Sequence, residues 1–444
     1  MATDTHTLDT QPIGKLLMKY SLPAIAGMVA TSLYNFIDSI FIGSSVGTEG
    51  IAALSVCLPV MNIVTATAYL SGWGGSSEIS INLGKKDYDT ANKALCQSVS
   101  LTFIMSIIFG AIIYAALDPL LTIFGASGNV LTLAREYMVI ILLGSPITNI
   151  YTSMSFLARS AGHPNASMYG TLSSVGINIV LAPLLIFVFH LGMTGAAIAT
   201  VSAQICIFFY YLRTLNRHDD EVCLAKGSIR PNLAMYLRII KIGIAPYLMT
   251  LCLCLIFIVF FNSLHRYGGN DAIAAYGIIS RFSFIFVMIV QGLGQGMQPL
   301  TGYYFGAKQY GKMKRCFWLT ALYSAGIMTV CLFISEVFPA TMVGMFTSDA
   351  TLTDMCIYGM RIGMSSSIIM SIPVICPSFF VSTGQVKKSI FLSLMRQLII
   401  LMPLMLILSA MYGLDGIWIS LPLSDLLSFI LCIFMLKSCF NQYK

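Results

Sequence analysis

Ile51-Ala52-Ala53, then Gly72-Trp73-Gly74-Gly75, then Gly84-Lys85-Lys86-Asp87-Tyr88 set a pattern that returns 222 residues later. The second copy reads Ile273-Ala274-Ala275, then Gly294-Gln295-Gly296, then Gly306-Ala307-Lys308-Gln309-Tyr310. The two stretches align without a gap. The offset is half of the 444-residue chain, and it still holds farther on, where Gly162 falls on Gly384. Self-similarity at one long period marks a duplicated architecture. The glycines lie inside apolar runs, so they suit close helix packing and bending rather than phosphate binding. A membrane chain of two similar halves is a common build of secondary transporters, with the substrate path between the halves.

The surrounding composition fixes the solvent. The chain is 57% hydrophobic and 10% charged, with a mean hydropathy of +0.83. Soluble domains carry about 25% charged residues. An integral membrane protein is expected. The formal net charge of +7 fits anchoring of loops on one face. No basic stripe with interleaved aromatics occurs, so nucleic acid is excluded as a partner. The twelve cysteines form no C-x-x-C pair, and Cys252 and Cys254 sit inside an apolar run. Neither a disulfide framework nor a metal site is expected. His163, His190, His218 and His265 lie in or beside loops and read as solvated. Residues 1–14 lack the charged and apolar regions of a cleaved leader, so the first apolar run is expected to stay as a span.

A span needs about 20 apolar residues. Twelve such runs are legible, near 15–43, 51–80, 93–116, 132–158, 168–189, 193–214, 238–264, 273–302, 316–338, 355–380, 389–410 and 416–437. The expectation is an all-α membrane protein of twelve helices in two six-helix lobes. The N-lobe takes 15–215 and the C-lobe 238–437. Between them runs a polar linker, 216–237, and the tails are 1–14 and 438–444. With the N-terminus inside, 21 of the 25 basic residues fall on the cytoplasmic side, Arg159 and Arg396 among them. Positive charge marks the inner face, so both termini are placed in the cytoplasm. Six spans per lobe is an even number. Both lobes then enter the membrane the same way, and their pseudo-twofold axis lies along the membrane normal.

Ionisable residues at membrane depth are costly and mark function. Asp38 sits five residues before Gly43 in span one. No base accompanies it in that span at that depth. An acid so placed can carry a proton, which is what a proton-coupled carrier needs. Asn178 in span five and Thr200 in span six share its depth and offer oxygen or amide partners. Arg281 in span eight and Asp425 in span twelve match in depth and oppose in sign, so a buried C-lobe charge pair is expected. Glu78, Arg135 and Glu136 lie near span ends, where snorkelling accounts for them. No P-loop, H-E-x-x-H or G-x-S-x-G occurs, so neither an ATP motor nor a hydrolytic enzyme is indicated.

Tyr34-Asn35-Phe36-Ile37-Asp38-Ser39-Ile40-Phe41-Ile42-Gly43 resembles the first-helix signature of the MATE (multidrug and toxic compound extrusion) family. Ile273-Ala274-Ala275-Tyr276-Gly277, Gly292-Leu293-Gly294-Gln295-Gly296-Met297-Gln298-Pro299 and Gly306-Ala307-Lys308 resemble its bacterial MepA-like branch. So do Gly195-Ala196-Ala197-Ile198-Ala199-Thr200 and Gly413-Leu414-Asp415-Gly416-Ile417-Trp418. The resemblance runs from about residue 12 to 437. It implies a multidrug efflux antiporter of the bacterial inner membrane, monomeric and in contact with lipid. Such a protein exports lipophilic, often cationic small molecules in exchange for protons or sodium ions. It needs no cofactor beyond the coupling ion. Asp38, Asn178 and Thr200 match the family's N-lobe cation-coupling set, which is also where a sodium site would lie. The chain departs from the family at Ala182, where many relatives carry Asp. Residues 178 and 182 share a helix face. Losing that carboxylate removes a hard oxygen ligand, so proton coupling, or a weak sodium affinity, is expected.

Two other classes of function fit less well. A flippase for a lipid-linked precursor needs a cationic cavity, and only Arg281 and Arg361 lie in or near the apolar spans. An intramembrane enzyme needs paired catalytic groups at one depth, and the first lobe offers Asp38 alone.

Overall fold

The computed structural model describes residues 5–217, 220–228, 230–344 and 349–443. Among these the secondary structure is helical, with no strand. In a bilayer every backbone polar group must be satisfied within its own segment, and helices achieve this.

Twelve spans emerge once two irregularities are resolved. Ile13–Val46, Thr48–Gly84, Tyr88–Ala115, Gly128–Ser160, Pro164–Val188 and Gly192–Leu215 form the first six. Leu233–Gly306 spans 74 residues, too long for one crossing of a bilayer. Gly269 (φ 64°) interrupts its helical backbone, so 233–268 and 270–306 are spans seven and eight. Tyr310–Val337 is span nine. Ala350–Met364 and Ser367–Ser382 meet at a bend of 57° and together make span ten. Val386–Tyr412 and Leu414–Gln442 complete the set. Short helices, Leu117–Ile123 and Pro339–Gly344, cover the ends of spans three and nine.

The duplication seen in sequence is present in the backbone. Left-handed conformation recurs in pairs 222 residues apart: Gly47 and Gly269, Lys86 and Lys308, Gly162 and Gly384. Lysine seldom adopts positive φ. Its doing so at both members of a pair shows the same tight turn built twice.

The lobes meet at the end that holds both termini. There spans two and eight cross with backbone against backbone. A Cβ at Gly84 would strike Tyr303 O, and one at Gly306 would strike Ile81 O. Residues 81 and 303 are themselves repeat equivalents, so this contact is reciprocal, as an isologous interface requires. It is the signature of a twofold axis passing between the two helices. Gly74 lies equally close to Ile239 O and Gly243 to Leu70 O, while Gly292 and Gly296 abut the backbone of Ile25 and Ser21 in span one. Polar groups stitch the same level. Gln298 Nε2 donates to Trp73 O and Ser77 Oγ, both at 3.3 Å. Arg159 Nη1 donates to Gln295 Oε1 at 2.5 Å.

The N-terminal segment and the inter-lobe connection lie at this end too. Asp9 accepts from Gln309 Nε2 (2.9 Å) and from the Tyr303 hydroxyl (3.2 Å), and Lys312 Nζ donates to its carbonyl. The connection after span six docks onto span three. Asn92 Oδ1 accepts from Cys223 N at 2.7 Å, and Gln97 Nε2 donates to Ser228 O and Arg230 O. His163 was expected to be solvated. It is instead largely buried, with Nε2 3.0 Å from Asp220 Oδ2, in ion-pair range without hydrogen-bond alignment. The docked connection covers the loop and removes its water. His218 lies outside the described residues.

Burial pushes the His163 pKa below its ordinary value, with Arg217 adding to the effect and Asp220 opposing it. The unfolded chain therefore takes up this proton first. Stability from burying the neutral imidazole is complete above the ordinary histidine value of 6.5 and is lost as pH falls through the lower folded value. Thermal unfolding of the detergent-solubilised protein should lose more on going from pH 7.5 to 5.5 than that of His163→Gln. Parallel pH profiles for the two proteins would show that His163 contributes nothing to acid sensitivity.

Candidate ion-coupling and substrate site

The N-lobe gathers the residues that the sequence singled out. Thr200 Oγ1 donates back to Ala196 O (3.1 Å). That leaves its lone pairs for Asn178 Nδ2 at 3.2 Å and the Tyr34 hydroxyl at 2.7 Å. Spans one, five and six are thus joined through one hydroxyl. Asp38 follows Tyr34 by one turn on the same helix face. It is 4% exposed, and its Oδ1 has no hydrogen-bond partner among the described residues. A buried, underpartnered carboxyl oxygen is costly unless a proton, a cation or water satisfies it.

Two tyrosines belong to this cluster and were not singled out from sequence. Tyr34 makes the 2.7 Å bond, and its place one turn before Asp38 was the signal available. Tyr137 of span four is 1% exposed and close enough to feel the charge of Asp38 and to reach Thr200. It comes from another helix, and no spacing rule would find it. Ala182 is fully buried in the apolar core of the lobe, one turn beyond Asn178. A methyl group stands where a second acid would face the cluster. No group of three or more His, Cys, Asp or Glu suited to a metal ion occurs among the described residues.

The C-lobe corrects one expectation. Asp425 is 4% exposed and is paired, but with Arg396 rather than Arg281. Arg396 Nε donates to Oδ1 at 2.9 Å, and Ser366 Oγ donates to Oδ2 at 2.9 Å. Arg281 is exposed on span eight. The reason lies in two helix irregularities. Span ten bends 57° next to Ser366, and span eleven widens into a π-helical turn over Met395–Leu401. Both distortions lie beside Asp425, and π turns often mark functional positions. Arg396 had been counted with the inner-face bases. It lies ten residues into span eleven, about 15 Å along the helix. Its place inside the run Leu392–Leu401 was the clue.

Removing one partner of a buried ion pair strands the other, at a cost of about 3–5 kcal/mol. Arg396→Ala should therefore lower thermal stability more than the double variant Arg396→Met with Asp425→Leu. Equal losses would show that the pair is too hydrated to act this way.

Comparison with known proteins places these features in a family. The MatE family model matches the chain twice, over residues 23–184 and 246–407. The two matches divide the chain as the repeat does. The multidrug export protein MepA of Staphylococcus aureus (strain N315) is 30% identical over 420 residues, covering 95% of this chain and 92% of that protein. Its counterpart in Staphylococcus haemolyticus (strain JCSC1435) is 29% identical over 430 residues, covering 97% and 94%. Among solved structures, the MATE multidrug transporter DinF-BH, in complex with a ligand, has a TM-score of 0.89 at 30% identity, covering 97% of this chain and 96% of that one. An outward-facing multidrug resistance MATE transporter of the MOP superfamily has a TM-score of 0.91 at 22% identity, covering 100% and 99%.

Proposed function

This chain belongs to the MATE family, and we propose that it exports lipophilic, often cationic compounds in exchange for protons, with Asp38 as the coupling acid. A MATE multidrug efflux transporter is no enzyme, and the site needs to perform no bond chemistry. It needs an acid whose protonation state alters the packing around it. One observation carries the reading: the buried Asp38 carboxyl has an unpartnered oxygen beside the Tyr34–Thr200–Asn178 hydroxyl and amide cluster.

A deprotonated Asp38 seeks hydrogen-bond donors from spans four to six or a cation from the aqueous side. A protonated Asp38 can sit against apolar walls. The two forms therefore favour different positions of span one relative to spans four to six, and Pro23 gives that helix a point of flexure. Protonation from outside would shift the population towards release of substrate there. The lobes close together at the terminus end, so the conformation is read as outward-open. Basic residues crowd that end, which supports cytoplasmic termini in this reading of a bacterial inner-membrane protein. The two lobes of one chain suffice for the proposed cycle, so the working unit is taken as a monomer among lipids. Residues 15–215 and 238–437 are the moving lobes, and 216–237 is their tether.

Ala182 favours the proton over sodium. Sodium prefers several hard oxygen ligands, and this cluster holds one carboxylate. Asparagine at position 38 cannot exchange a proton. Asp38→Asn should insert normally yet reduce proton-driven ethidium efflux from proteoliposomes at least tenfold. Wild-type efflux should follow an imposed proton gradient and ignore a sodium gradient at fixed pH. Wild-type-like efflux by the variant, or sodium-driven efflux at fixed pH, would contradict the assignment.

A further inference from the structure

We propose that Arg159 is an anion-recognition residue, by which the transporter takes up substrates that carry a carboxylate on an aromatic frame. The inference deepens the efflux reading and rests on it.

Among the described residues, four Asp, Glu, Lys or Arg side chains are buried: Asp38, Arg159, Asp220 and Asp425. Asp220 and Asp425 each face a base. Arg159 is 5% exposed, yet none of the described ion pairs includes it. Its partners are neutral. Nη1 donates to Gln295 Oε1 of the opposite lobe, and Nε reaches Ser155 O at 3.4 Å. A buried guanidinium without a carboxylate or phosphate is unusual, because its planar fork matches such anions. Charge-assisted bonds to an anion are stronger than those to an amide.

The position of Arg159 explains why the partner is an amide. It ends span four at the terminus end of the lobe seam. Gln295 belongs to the glycine-rich run of span eight and is itself held by a 3.3 Å contact to Met28 Sδ of span one. With the seam shut, Gln295 occupies the guanidinium. When the lobes part at this end, Gln295 leaves with the other lobe. Arg159 then faces the opening with its strongest acceptor gone, and a substrate carboxylate replaces it. The amide and the substrate anion thus compete for one donor, and the Gln295 bond that holds the seam shut opposes capture of the anion.

The surroundings supply the second half of the chemistry. The Arg159 guanidinium lies 5.0 Å from the Phe156 ring centroid. Phe156 packs on Trp73 at 5.7 Å and on Tyr69 at 5.8 Å. This aromatic surface borders the seam that must open, because Gly72 meets Phe156 and Gly74 meets Ile239 of the other lobe. A planar aromatic acid fits both features: its ring system stacks while its carboxylate takes the arginine fork.

A matched pair of xanthene dyes isolates the carboxylate: rhodamine 19, a free acid, and its ethyl ester on the same frame. Proton-driven export of each is measured in proteoliposomes. The wild type should export both. Arg159→Gln should lower the acid-to-ester rate ratio at least fivefold, and Arg159→Lys, which keeps the charge, should hold it within twofold of wild type. Gln295→Leu, which removes the competing amide, should raise the ratio at least twofold; this arm decides the question even if Arg159→Gln fails to fold. A smaller fall in Arg159→Gln, or an unchanged or lower ratio in Gln295→Leu, would overturn the proposal, as would wild-type export of the ester alone. Export of neither dye by the wild type would instead overturn the efflux reading.

Discussion

Spans two and eight touch backbone to backbone, and this contact sets the geometry of everything else. Gly84 against Tyr303 O and Gly306 against Ile81 O leave no space for a side chain. Lipid tails are as apolar as leucine, so helices in a bilayer associate through close packing and hydrogen bonds rather than hydrophobic burial. Small residues at this crossing allow that packing. The reciprocity of the two contacts also fixes the twofold axis between the lobes. Once it is fixed, Gln295 and Gln298 of one lobe come within reach of Arg159, Trp73 and Ser77 of the other. A seam built from glycine and amides is tight, but no ion pair among the described residues crosses it. Interhelical hydrogen bonds in membranes are worth about 0.6 kcal/mol on average. Such a seam can open under a modest bias.

The duplication preserves this scaffold and not the chemistry. Turn residues, close-packed glycines and helix order recur at the 222-residue offset. Asp38 falls on Phe260, Asn178 on Ile400 and Thr200 on Pro422. In the other direction, Arg396 falls on Ser174 and Asp425 on Ala203. The N-lobe therefore holds an acid with an unpartnered oxygen, and the C-lobe an acid held by a base and a serine. An acid without a base can exchange its proton without stranding an opposite charge. One already paired is held in place. This asymmetry supports the proposal that the first lobe carries the coupling proton while the second serves as a firmer partner.

The periodic features of the fold were legible in sequence, because lipid imposes them locally. Span number, the break between spans seven and eight, and the paired glycine turns each follow from a run of apolar residues or a glycine at a fixed place. Shared depth of polar groups suggested grouping Asp38, Asn178 and Thr200; the structure joins Asn178 to Thr200, and Thr200 to Tyr34 one turn before Asp38. Matching depth misled at Arg281 and Asp425. Depth is one coordinate, and pairing also depends on rotation about the helix axis. The bend beside Ser366 and the π turn at Met395–Leu401 alter that rotation, and no residue pattern announced them. Tyr137 and the inter-lobe role of Arg159 were hidden for a related reason. Each acquires its partner from a helix distant in sequence, so only the assembled bundle reveals it.

The proposed alternating access requires the seam at the terminus end to open in every cycle. A covalent link across it gives the most direct test. The Ser80 Cβ lies 2.8 Å from where a Cβ at Gly302 would stand, close enough for a disulfide after a small shift. Ser80→Cys and Gly302→Cys are combined in a chain whose native cysteines are replaced, and ethidium efflux is measured after oxidation and again after reduction. The expected result is a bridge that forms readily, stops efflux, and releases it on reduction. Undiminished efflux with the bridge fully formed would contradict the account.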